Sequence, residues 1–162
     1  MNQLEKEVAQ LLLSQKQTIA VAESCTGGLI AFRMTNVPGS SAFFERGAVT
    51  YSNRSKIEML GVPKEVLEQY GAVSEQTAKL MAEGIRKQSG TDFGVAATGI
   101  AGPSGGTSEK PVGTVFIALS YDRGTECQKH LFPGDREAIR HKTSETALTW
   151  VRDHCKYQNL IP

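Results

Sequence analysis

A chain of 162 residues with 40% hydrophobic side chains has the length of one ordinary domain and enough apolar material to cover a sheet with helices, so one domain over 1–162 is expected. With 18 Lys and Arg against 17 Asp and Glu, the formal charge of +1 excludes a global field for nucleic acid or an acidic membrane surface. The charged first ten residues do not read as a signal peptide, no run reaches the ~18 apolar residues of a membrane span, and three cysteines without a CxxC suit a reducing compartment. A cytoplasmic location is expected.

Leu4, Val8, Leu11, Leu12 and Leu13 recur at helical spacing and predict a helix over about 2–15, followed by a short buried strand over 18–22. A second helix is expected over about 25–35, broken by Val37-Pro38-Gly39-Ser40, with the next strand over 47–51. Asn53 is the expected N-cap of a helix through Leu60, after which Gly61-Val62-Pro63 closes that helix and opens another to about Tyr70. Ser74, Thr77 and the spacing of Ala78, Leu80, Met81 and Ile85 predict a longer helix to Gln88, ended at Gly90. A buried strand over 93–97 leads into a loop with glycines at 99, 102, 105 and 106, and strand character resumes over 112–121. Asp122-Arg123-Gly124 signals a turn into a strand over 126–132, and Asp135 caps a final helix to about Cys155. The alternation predicts an α/β fold, a mixed sheet with a C-terminal antiparallel hairpin and helices on both faces.

Ser24 stands where an apolar run gives way to Gly27-Gly28 and an expected helix entrance. Its hydroxyl can simply cap that helix. With a base beside it, the same hydroxyl is a nucleophile, the free N–H groups of the helix start can stabilise an oxyanion, and the two glycines let a substrate approach. Lys56, in most contexts a solvated surface residue, is the candidate base. The dipole of a helix start supplies only ~1 kcal/mol against its charge, so desolvation must do most of any lowering from the ordinary ~10.4. Tyr51 reads either as an edge aromatic or as a phenol between Ser24 and Lys56 that relays the proton or orients the amine. The three histidines lie in the last third without triad context, which favours serine–lysine over serine–histidine chemistry.

The loop Thr98-Gly99-Ile100-Ala101-Gly102-Pro103 fits neither GxxxxGK[ST] nor GxGxxG. It reads as a flexible connection or as an anion nest of backbone N–H groups to which Thr98 adds a hydroxyl donor. Arg136 and Arg140 share one helical face, as surface arginines or as grips for a phosphate. His141 and Glu145 share a face as well but have no third ligand, and no metal site is expected.

Taken together, Ala22-Glu23-Ser24-Cys25-Thr26-Gly27-Gly28, Val49-Thr50-Tyr51-Ser52-Asn53 with Lys56, Gly71-Ala72-Val73-Ser74, the Thr98–Pro103 loop, Lys110-Pro111-Val112-Gly113-Thr114-Val115 and Gly134-Asp135-Arg136 resemble the CinA C-terminal domain family. Its stand-alone members are nicotinamide-nucleotide amidohydrolases. The resemblance implies a three-layer α/β/α fold and deamidation of nicotinamide mononucleotide to nicotinic acid mononucleotide and ammonia, without a cofactor. It implies Ser24 as nucleophile assisted by Lys56 and Tyr51, with Thr98 and the adjoining loop of Gly99, Ile100, Ala101 and Gly102 lining the site; Cys25, Thr26, Gly27 and Gly28 are also expected around the substrate, and Arg140 with the loop at its phosphate. Activities of the larger N-terminal domain that many members carry are not transferred. A small-molecule substrate and a homo-oligomer are expected, with no nucleic-acid or membrane partner. Two other readings stay open: a thiol amidase using Cys25 with Glu23 and Lys56, and a non-catalytic nucleotide-binding or partner-recruiting domain.

Overall fold

Alternating apolar strands and amphipathic helices produce three layers. The structure, a computed structural model, describes residues 3–158, so residue 2 of the first expected helix lies outside it. In chain order the elements are α1 (Gln3–Gln15), β1 (Ile19–Glu23), α2 (Leu29–Thr35), a 3-10 turn (Ser40–Ala42), β2 (Phe44–Val49), α3 (Asn53–Leu60), α4 (Lys64–Tyr70), α5 (Glu75–Ser89), β3 (Phe93–Gly99), β4 (Thr114–Tyr121), β5 (Gly124–Leu131) and α6 (Arg136–Gln158). The strands form one mixed sheet in the order β2-β1-β3-β4-β5. β1 runs parallel to both β2 and β3, whereas β3–β4 and β4–β5 are antiparallel.

Every residue of β1 is buried, and its period of two divides it between two cores. Ile19 and Val21 pack with α1, α2 and α6, while Ala20 and Ala22 pack with α5 and the helices around it. The chain leaves β1 toward β2 on one side and later returns to β3 on the other. Such a switch point opens a crevice at the carboxyl ends of the strands, where ligands of open α/β sheets bind.

Several boundaries differ from the expected ones for local reasons. The helix expected from residue 25 begins only at Leu29, because Gly27 and Gly28 take φ of 60° and 97° and carry the chain through a left-handed turn first. The cap of α3 is Ser52 rather than Asn53. Its Oγ accepts from the Ser55 N–H at 3.0 Å and the Ser55 Oγ accepts from the Ser52 N–H at 3.1 Å, a reciprocal capping box. β2 starts three residues earlier than expected and ends at Val49, which leaves Thr50 and Tyr51 free to turn into α3. As expected, Asp135 caps α6, its Oδ1 accepting from the Ala138 N–H at 2.9 Å.

No helix among the described residues is long and apolar enough to cross a membrane.

Candidate active site

Ser24 is the first residue beyond β1, and its backbone is held from both sides. Its N–H donates to the Ala97 carbonyl at 2.9 Å, and the preceding Glu23 carbonyl accepts from the Thr50 N–H at 2.8 Å. Continued alternation sends the Ser24 side chain to the face of Ala20 and Ala22, the face that carries α3. There it meets Lys56. The capping box starts α3 so that Lys56 falls in its first turn, wholly buried, with Nζ 3.1 Å from Ser24 Oγ. Nζ also donates to the Thr50 carbonyl at 2.7 Å. Burial pushes the amine down to about 8.

A neutral amine has two N–H groups and one lone pair. With one N–H committed to Thr50, the lone pair can be turned to the Ser24 proton. The pair is direct, so no phenol stands between its members. Tyr51 is 58% exposed and its hydroxyl accepts from Arg136 Nη2 at 2.8 Å, which corrects the expected relay to an arrangement at the cleft mouth.

Ser24, Cys25, Tyr51, Lys56, Thr98, Gly99, Ala101 and Arg136 line a cleft of about 200 Å³, together with Ala72 and Val73. Thr26, Gly27, Gly28, Ile100 and Gly102 do not line it. The Gly-rich loop departs from an open anion nest: the Ile100 N–H donates to the Thr114 carbonyl at 2.9 Å, and the Thr98 hydroxyl donates to the Ala72 carbonyl at 2.8 Å. Gly27 makes room for an arginine rather than for a substrate, since a Cβ there would stand 3.2 Å from Arg140 Nη2.

Arg136 and Arg140 hold the backbone around the cleft. Arg136 Nη1 donates to the Gly102 carbonyl at 2.8 Å, and Arg140 Nη2 donates to the Thr26 carbonyl at 2.9 Å. Neither guanidinium forms an ion pair with a carboxylate among the described residues; their hydrogen bonds go to backbone carbonyls and to the Tyr51 hydroxyl. Both face a second cleft of about 570 Å³ with Leu29, Asp135, Glu137 and His141, and Arg136 borders the two clefts.

Glu23 is the residue that sequence reasoning undervalued. Fully buried, its carboxylate accepts from the N–H groups of Gly28 (3.1 Å), Ile30 (3.0 Å) and Ala31 (2.8 Å). The donors at the start of α2 are thereby occupied and are not the oxyanion site expected of them. The N–H groups of Cys25 and Thr26 have no protein acceptor among the described residues. An acid closing an otherwise apolar strand, five to eight residues before the amides of a helix start, was the available signal. Cys25 is buried and desolvation pushes its thiol up to about 12, which withholds the thiolate that a cysteine mechanism requires.

Fold and site together define a three-layer α/β/α protein with a serine–lysine pair in the crevice at the carboxyl ends of its parallel strands. The chain belongs to the CinA C-terminal domain family, whose model matches residues 1–155. A CinA-like protein of Syntrophus aciditrophicus is 58% identical over 150 residues, and another of Syntrophotalea carbinolica is 53% identical over 149. Each match takes in 92% of this chain but only 36% of the relative, so the chain spans little more than a third of these curated proteins. Among solved structures, a CinA superfamily protein from Klebsiella pneumoniae superposes with a TM-score of 0.93 at 33% identity, covering 97% of this chain and 99% of that one. The competence/damage inducible protein CihA from Agrobacterium tumefaciens gives 0.88 at 42% identity, covering 93% and 94%.

Proposed function

We propose that the chain is a serine–lysine amidohydrolase that deamidates nicotinamide mononucleotide to nicotinic acid mononucleotide and ammonia. The observation that carries this reading is the buried Lys56 amine 3.1 Å from Ser24 Oγ at the base of a cleft. A solvated surface lysine would stay protonated near neutral pH, whereas burial brings this one down to about 8.

Lys56 takes the Ser24 proton as Oγ attacks the carboxamide carbon, and the oxyanion is met by the free N–H groups of Cys25 and Thr26. The Lys56 ammonium then protonates departing ammonia. Water, deprotonated by the same amine, hydrolyses the nicotinoyl ester and restores the serine. The positive pyridinium ring activates its own carbonyl toward attack. The choice of a mononucleotide is supported by the family resemblance and by two guanidiniums without an ion-pair partner among the described residues, Arg136, which lines this cleft, and Arg140, which with Arg136 lines the neighbouring one and could receive an anionic group there.

The test is ammonia release from nicotinamide, its riboside and its mononucleotide. Turnover is expected on the mononucleotide and lost in Ser24→Ala with the fold retained. Turnover that survives Ser24→Ala would reject the nucleophile, and equal rates on riboside and mononucleotide would reject phosphate recognition.

A further inference from the structure

Glu23 and Ser24 are neighbours whose side chains leave β1 toward opposite layers, Ser24 to Lys56 and Glu23 to the start of α2. A carboxylate with no exposure is costly unless its oxygens are satisfied. Here Oε2 accepts two N–H groups and Oε1 a third. These bonds do more than neutralise a helix end, because of what lies between them and the sheet. The chain leaves the sheet at Ser24, pinned to Ala97, and the far end of the turn, Gly28, is pinned to Glu23. Within that excursion the Gly27 N–H donates to the Ser24 carbonyl at 3.1 Å, and Arg140 donates to the Thr26 carbonyl. The turn that follows Ser24 and carries the Cys25 and Thr26 N–H groups is thus fastened at both ends, to the sheet at Ser24 and to Glu23 at Gly28.

We propose that Glu23 is a positioning residue for the nucleophile, its buried carboxylate fastening the Ser24–Gly28 turn so that Oγ faces Nζ of Lys56. This rests on Ser24 being the nucleophile. A glutamine is the closest isostere, yet it has one acceptor oxygen, and its amide nitrogen would face an N–H donor. It can keep the Ala31 bond or the Gly28 and Ile30 pair, not both. A displacement of ~1 Å at a reacting atom costs on the order of 100-fold in rate.

Glu23→Gln is examined in two ways. The rate constant for labelling Ser24 with a fluorophosphonate, counted per folded molecule, is expected to fall ~10–100-fold, and kcat is expected to fall in parallel while KM changes less than ~3-fold. A purely structural role would lower the melting temperature and the folded fraction but leave the rate per folded molecule unchanged. The second arm is a crystal structure of the variant, in which the Ser24–Lys56 separation is expected to exceed the parent's. A separation still at 3.1 Å with a labelling rate within twofold of the parent would overturn the proposal. Should the parent itself resist labelling, the nucleophile assignment fails and the measured separation alone decides whether Glu23 sets the turn. If Glu23→Gln does not fold, Glu23→Asp, which keeps the charge one methylene short of the three amides, is read by the same two measurements and is expected to be slowed as well.

Discussion

Lys56 concentrates the energetic consequences of the site in one amine. An unfolded chain would hold its proton to about 10.5, whereas the folded chain releases it near 8. Below pH 8 both states are protonated and the fold bears the whole desolvation penalty. As pH rises from 8 to 10.5 the unfolded state alone binds the proton, and the penalty is progressively relieved. The gap corresponds to on the order of 3 kcal/mol. Lys56→Met should thus unfold at higher urea than the parent at pH 7, by roughly 1–3 kcal/mol, with the advantage shrinking toward pH 10. The same variant should lose at least ~1000-fold in kcat. An advantage that did not depend on pH would mean that the amine is not desolvated. In the parent, kcat/KM should climb with pH through about 8, since only the neutral amine accepts the serine proton, and a profile flat from pH 6 to 9 would remove Lys56 as base. Ser24 and Lys56 were legible as candidates because each sits in a turn-and-helix context that suits its chemistry. Glu23 was legible only as a member of the alternative thiol site; its hold on the start of α2 was harder to read, because its partners are backbone amides, which carry no residue-type signature.

At the level of elements, the position of Lys56 depends on how α3 is started and what it leans on. Ser52→Ala removes the cap that begins α3 and should cost ~1 kcal/mol in chemical denaturation. A harsher change is available at Gly84 of α5, where an added Cβ would stand 2.1 Å from the Leu60 carbonyl at the end of α3. Gly84→Ala should push the two helices apart, costing ~1–3 kcal/mol and lowering kcat although the residue lies outside the cleft. Unchanged stability would show that the helices slide without strain. Periodicity and the Gly and Pro breaks made the order of elements readable. Their edges were less so: Gly27 and Gly28 look like a helix entrance until their positive φ is known, and Ser52 and Asn53 are equally good caps one residue apart. The partner of Tyr51 was unreadable too, since Arg136 is 85 residues away along the chain.

Across the whole molecule, three helices of one layer meet at a single guanidinium. Arg33 of α2 is buried and donates to Glu5 of α1 at 2.6 Å and to Ser144 and Glu145 of α6 at 2.9 and 2.6 Å. Arg33→Met strands the buried Glu5 carboxylate and should cost about 3–5 kcal/mol, whereas Arg33→Met with Glu5→Leu should recover much of that loss, as a double-mutant cycle in urea would measure. Additive losses would mean that the pair is not coupled. The α/β class and the final hairpin were readable from the sequence. Strand order was not, because β1, β3 and β4 are almost uniformly buried and an apolar run does not name its neighbour.

Enclosure also gives Lys56 a use as a reporter. Reagents that acylate solvent-facing primary amines should modify the exposed lysines quickly and meet this one only by way of the cleft, so the pace at which it gains a label would report how readily a small molecule passes from solvent to the amine beside Ser24.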